Sequence, residues 1–235
     1  MKHLILIPFL FLIYSNNSQA QILTDWQTEN SKGKVKQITS IDLPNDEGEV
    51  KKQVVHFDAR GFFTFKESYS GTRNPEDSTA VLYTKIGELQ FFEYQNKQRH
   101  GMSVNAEGKK ATEFVQQWKG ANACQFTYTY FATPEREGIM NLTFSNQAKL
   151  EEMHLMIIDK EDRHIQFETK SIHQYDSKGY EIQFQQTTID PIGDTRVLRI
   201  RNTAFDAQGN ITEKEVYDEN NKLFAKTRFE YEYYE

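Results

Sequence analysis

Five residues constrain this chain more than any others: Phe205-Asp206-Ala207-Gln208-Gly209, an aromatic, an Asp, two small or polar residues and a Gly, with β-like runs on both sides. Phe57-Asp58-Ala59-Arg60-Gly61 and Tyr175-Asp176-Ser177-Lys178-Gly179 repeat the pattern. A type I turn favours Asp at its first position, where the carboxylate accepts from nearby backbone N–H groups. A Gly three residues later takes positive φ without steric cost, and the combination is a common hairpin connection with a built-in bulge. Each copy therefore predicts a hairpin loop, with the aromatic ending the incoming strand. Weaker copies are Asn105-Ala106-Glu107-Gly108, Tyr217-Asp218-Glu219-Asn220-Asn221 and Phe144-Ser145-Asn146-Gln147-Ala148. In the second of these, Asn stands at the left-handed position, which it tolerates.

The segments between turns alternate as half-buried strands do. Cys124, Phe126, Tyr128 and Tyr130 share one face, with Gln125, Thr127 and Thr129 opposite. Residues 109–118 fit helical spacing through Ala111, Phe114, Val115 and Trp118, but their place after a turn favours a strand. Leu150 to Ile158 is apolar on both faces and reads as a central, doubly covered strand. Thr79 to Tyr94 reads as two strands broken at Gly87-Glu88, and residues 21–33 as a mobile lead-in carrying a packed Trp26.

About a dozen or more short strands joined by tight turns predict an all-β fold. The expectation is a long antiparallel meander of consecutive hairpins, a wrapped open sheet or half-barrel, because open sheets rarely exceed ~10 strands without curling. The alternative is a closed β-barrel of lipocalin type, enclosing a ligand cavity. An outer-membrane barrel needs outward faces that are apolar. Thr212-x-Lys214 and Lys226-x-Arg228-x-Glu230 are charged instead.

The aromatic-Asp-x-x-Gly unit resembles the YD or Rhs-type repeats of secreted and cell-surface proteins. The three strong copies carry the resemblance, with the terminal Arg228-Phe229-Glu230-Tyr231-Glu232-Tyr233 as a further match. It implies a sheet assembled from successive hairpins, in proteins acting as shells, adhesins or carbohydrate-associated surfaces.

The first twenty residues read as a secretory signal. Lys2 and His3 precede an apolar Leu4–Tyr14 run, and Ser18-Gln19-Ala20 ends on a small residue. That run is too short to span a bilayer. Residues 21–235 are expected to form a single all-β domain, periplasmic or extracellular, with no integral membrane segment after signal removal. The absence of Cys near the cleavage site argues against a lipid anchor. The single Cys124 cannot form an internal disulfide, and the cysteine-poor, Lys- and Asn-rich style suggests a bacterium. A net charge of −6 argues against nucleic acid as partner.

No Gly-x-Ser-x-Gly, His-Glu-x-x-His or phosphate-binding loop occurs. His56 and His173 precede strong turns, and a catalytic or metal role would require convergence with carboxylates in space. Asp58, Asp176, Asp206 and Asp218 could be read as calcium ligands, but turn chemistry explains each. Cys124 sits on an apolar face, as an inert thiol does. No catalytic residue, metal site or cofactor is assigned. The candidate ligand-binding residues are Tyr128, Tyr130, Tyr231 and Tyr233, as an aromatic face that could stack on sugars or dock a protein. The expected function is a secreted non-enzymatic β-repeat surface for a glycan or cell-surface protein. The alternatives are a ligand carrier with an enclosed apolar cavity and, behind it, a polymer-degrading hydrolase.

Overall fold

The computed structural model describes residues 22–44, 49–73, 81–191 and 193–235. The expected signal at 1–20 lies outside the described residues. A short helix α1 (Asp25–Thr28) precedes fourteen strands. These are β1 (Val35–Pro44), β2 (Val50–Phe57), β3 (Phe63–Arg73), β4 (Val81–Phe91), β5 (Gln98–Asn105), β6 (Lys110–Trp118) and β7 (Ala123–Tyr130). The remainder are β8 (Arg136–Phe144), β9 (Leu150–Asp159), β10 (Ile165–Tyr175), β11 (Glu181–Asp190), β12 (Asp194–Phe205), β13 (Ile211–Tyr217) and β14 (Leu223–Tyr233).

The repeated turns form as their chemistry dictates. Asp58 Oδ1 accepts from Arg60 N at 2.9 Å and Phe62 N at 3.0 Å. Asp176 does the same with Lys178 N and Tyr180 N, Asp206 with Gln208 N and Asn210 N, and Asp218 with Asn220 N and Lys222 N. Asn105 Oδ1 and Ser145 Oγ fill the same place in the weaker copies. The fourth residue of each turn is left-handed, including Asn221 and Ala148. A register shift lies just before every one of these turns, as the bulged hairpin requires.

Every strand pairs antiparallel with its sequence neighbour, and β1 also pairs with β14, so the sheet is a closed barrel. This corrects the open sheet or half-barrel and matches the alternative. Each strand pair adds a right-handed twist. Over fourteen strands the first and last meet, and Ile38 pairs with Val55 on one side and Tyr231 on the other. Closure leaves no edge strand to protect. It also leaves no central strand. In β9 Met153, Leu155 and Ile157 face inward while Glu152, His154 and Met156 face out, so double coverage of this strand does not occur. The 109–118 segment is strand β6. Gly87-Glu88 does not break the chain: β4 runs through it, with a register shift against β3.

The inside of the barrel is mixed: an aromatic wall stands beside buried polar side chains that include Arg99, Gln116, Thr169 and Ser171. Ring contacts run around one wall through Phe57–Phe63 (4.8 Å), Phe63–Phe91 (5.6 Å), Phe91–Phe114 (5.2 Å) and Phe114–Phe126 (5.8 Å). Trp118, Cys124 and Phe144 make a buried cluster at the base, meaning the end that carries the β2–β3 and β12–β13 turns. Burial pushes the Cys124 thiol up to about 11, which suits a packed, unreactive group.

The outside carries charged pairs beside exposed apolar side chains such as Ile172, Ile182 and Phe224. Lys85 bonds Glu67 and Glu88 at 2.9 and 2.7 Å, Lys170 pairs with Glu152 at 2.9 Å, and Lys226 pairs with Glu213 at 2.8 Å. These side chains alternate with inward ones: Glu67 is next to Lys66, Glu213 and Glu215 flank Lys214, and Gln125 is next to Phe126.

Candidate functional site

The lead-in segment closes the base of the barrel. Thr24 and Gln27 form a reciprocal capping box on α1. That box orients Asp25 into the lumen, where it is 5% exposed against Arg99 of β5, itself 1% exposed. Arg99 Nη2 donates to Asp25 Oδ1 at 3.0 Å, its Nε to Gln116 Oε1 at 2.5 Å and its Nη1 to Phe63 O at 3.3 Å. The guanidinium also lies between the rings of Phe91 and Tyr94. Burial pushes Asp25 up, and the Arg99 charge pulls it back.

The segment then crosses the base from turn to turn, and the three strong copies are where it docks. Trp26 N donates to Gly61 O at 3.1 Å. Asn30 Nδ2 donates to Gly179 O at 3.0 Å, and Asn30 Oδ1 accepts from Lys149. Lys32 N donates to Asn210 Oδ1 at 2.6 Å, and Asn210 Nδ2 returns a bond to Lys32 O at 2.9 Å. The expected mobile lead-in is therefore a tethered plug. Its period was illegible because it is a single helical turn with caps.

Above the plug, bordered by Phe63 and Phe91 of the aromatic wall, lies a cavity of about 520 Å³. Thr28, Glu29, Asn30 and Ser31 of the plug form its floor. Ile38, Val55, Leu89, Ile200, Ile211 and Phe229 give it apolar walls. The volume falls inside the range of about 300–1,000 Å³ usual for small-molecule sites. Tyrosine hydroxyls in the wall are tied back to the chain: Tyr175 to Leu150 O, Tyr180 to Gly209 O and Tyr231 to Ile211 O. Burial raises the Tyr175 and Tyr231 hydroxyls further, so neither of these two loses its proton near neutrality.

Three charged side chains keep free capacity. Lys66 and Lys214 project from β3 and β13, and Glu29 rises from the floor. None has a hydrogen-bond or ion-pair partner for its charged group among the described residues. Much of the Glu29 surface remains accessible, at the floor of the cavity. Burial, then the Asp25 charge, raise its carboxyl, while Lys66 and Lys214 draw it down. Burial lowers the Lys66 ammonium.

His173 does converge with a carboxylate. Its Nδ1 lies 2.6 Å from Glu181 Oε1 and its Nε2 3.0 Å from Ser171 Oγ, the connectivity of a Ser–His–acid relay. A relay also needs a reachable nucleophile and oxyanion donors. Ser171 is 3% exposed and is not part of the cavity wall. The β9–β10–β11 ladder engages the surrounding backbone. The chain of bonds is structural. Among the described residues no group of three His, Cys, Asp or Glu could hold a metal ion.

The four candidate tyrosines all point into the barrel, not out of it, because each shares the inward face of its strand. Tyr231 lines the cavity. Tyr128 stacks on Phe126 and touches Phe114. Tyr130 packs against Gly138. Tyr233 donates to Asp206 at the base, and burial, then that bond, push its hydroxyl up to about 12. The structure does not bring them together as one exposed row. Sequence reasoning missed Lys66, Lys214 and Glu29. Strand alternation could have placed the two lysines inward, but nothing marked the lead-in as a floor.

No family model matches the chain, and no curated protein matches it. Among solved structures, a porin-like protein from Bacteroides uniformis is similar, with a TM-score of 0.52 and 10% identity over 84% of this chain and 98% of that one. A porin-like protein from Bacteroides vulgatus gives 0.49 and 12% over the same shares. The first likeness shows the barrel fold.

Proposed function

We propose that this chain is an exported, water-exposed β-barrel that holds a small apolar or amphipathic ligand in its lumen. The observation that carries this reading is a cavity with apolar side chains in its walls, floored by a plug, in a barrel whose outside carries ion pairs. A membrane-spanning barrel needs a continuous apolar outer band. The Glu67–Lys85–Glu88 and Glu213–Lys226 clusters would face hydrocarbon in that setting, where charges are costly. Export rests on the leader-like residues 1–20. A glycan- or protein-docking surface loses its motivation, since its four tyrosines are internal.

The test is titration with a neutral fluorescent apolar probe, N-phenyl-1-naphthylamine. Saturable binding at one site is expected. Leu89→Trp and, independently, Ile38→Phe fill the cavity and should abolish binding in folded protein. No saturable binding, or binding indifferent to both substitutions, overturns the carrier reading.

A further inference from the structure

The cavity is not uniformly greasy, and its polar content is lopsided. Three ammonium groups, Lys66, Lys149 and Lys214, meet two carboxylates, Glu29 and Glu181, around it. Two of the five are already committed: Lys149 donates to Asn30, and Glu181 bonds His173. That leaves Lys66 and Lys214 against Glu29 within the cavity lining, with Asp42 acting on Lys66 from outside that lining.

Lys66 stands in a ladder of inward residues whose register is explicit. Leu89 pairs with Lys66, Lys66 with Val55, Val55 with Ile38, and Ile38 with Tyr231, across β4, β3, β2, β1 and β14. Lys214 reaches in from β13 beside Phe229, its ammonium 5.5 Å from the ring centre. Two cations therefore flank an aliphatic stretch of wall. Burying an ammonium without a partner is expensive, so such groups are normally paired or hydrogen-bonded. Glu29 acts on both through space but lies beyond ion-pair distance of each. The space between them suits an anionic group from outside the chain.

We propose that the lumen ligand is an amphipathic carboxylate, its head group held between Lys66 and Lys214 and its hydrocarbon tail lying along Ile38, Val55 and Leu89. This rests on the carrier reading and sharpens it. A carboxylate accepts charge-assisted bonds from both ammoniums, while the tail gains from leaving water. Glu29 is the resident competitor. It comes from the plug rather than the wall, and burial already favours its neutral form.

The experiment compares dodecanoate with dodecanol, which share a tail and differ in the head group, by calorimetric titration of the purified protein. Dodecanoate should bind about tenfold to a hundredfold more tightly, the scale of one or two charge-assisted hydrogen bonds. Lys66→Met and Lys214→Met should each remove most of that preference, weakening dodecanoate binding far more than dodecanol binding. Glu29→Gln should strengthen dodecanoate binding, a gain that damage to the fold would not produce. Equal affinity for the two ligands, or a preference that survives both lysine substitutions, overturns the carboxylate assignment while the carrier reading stands. Failure of both ligands and of the neutral probe overturns the carrier reading itself.

Discussion

The indole of Trp26 lies directly over Gly61: a Cβ at that glycine would sit 2.5 Å from Trp26 Cε3. Gly61 is at once the left-handed residue of a hairpin turn, φ +90°, and the platform on which the plug begins. Gly108 occupies the same place in the β5–β6 turn, φ +75°, with nothing within 4 Å of its would-be Cβ. Gly108→Ala should therefore cost only the left-handed strain, about 1–2 kcal/mol. Gly61→Ala adds displacement of the indole, an overpacking cost of about 1–3 kcal/mol more. Urea midpoints of the two variants check this. Equal losses would mean that Trp26 is not held against the turn.

Arg99 and Asp25 join the wall to the plug, and removing either partner leaves a buried charge alone. Arg99→Met and Asp25→Leu should each destabilise the barrel by about 3–5 kcal/mol. The double variant should lie well above the sum of the singles, since two apolar groups can share the space. Thermal or urea unfolding of the set provides the cycle. Additive losses would show that the pair does not act as a unit.

Acid should loosen the plug's docking turns. Burial works against the Asp58 charge, but the Phe62 N–H, the Arg60 side chain and the Arg60 N–H outweigh it, and its carboxyl is held below the ordinary 3.8. For Asp206, burial is likewise outweighed by Tyr233 and Asn210. A carboxyl whose folded value is depressed contributes stability that is present above its unfolded value. That contribution is lost as pH falls through the folded value. The contribution of these two turns should thus stay level down to about pH 4 and decline below it. The double variant Asp58→Asn, Asp206→Asn should be weaker near neutrality and show a flatter acid limb. Urea midpoints between about pH 5 and about pH 2.5 measure both.

The turns were legible because their chemistry is local. An Asp or Asn, two residues and a left-handed position fix a hairpin whatever surrounds it, and even the degraded Ser145–Ala148 copy obeys. Strand polarity was legible for the same reason, so Phe126 and Tyr128 were placed on one face correctly. Closure was not, because the pairing of β1 with β14 joins residues almost the whole chain apart and depends on accumulated twist. Nor was the cavity: the sequence alone puts the charge of Thr212-x-Lys214 on an outward face, and the closed barrel corrects this by turning Lys214, with Lys66, into the lumen. The lead-in hid its role too. Its Thr24-x-x-Gln27 capping box is a short signal, and the docking partners Gly179 and Asn210 are remote in sequence.

The bonds from Ser171 through His173 to Glu181 make a case in which geometry of the right kind need not mean chemistry. A working relay would hydrolyse an activated ester entering the lumen, with Ser171 Oγ attacking and His173 taking its proton. Ser171 has no access to the cavity, so p-nitrophenyl octanoate should be hydrolysed no faster than by the Ser171→Ala variant. That substitution should instead cost the scale of one hydrogen bond, about 0.5–1.5 kcal/mol, in unfolding. His173→Ala should cost more, because it also strips Glu181 of its partner beside the cavity. Hydrolysis that disappears in Ser171→Ala while the barrel stays folded would reverse this assignment. It would also turn the lumen from a place of storage into a place of reaction, with Lys66 and Lys214 holding the product carboxylate.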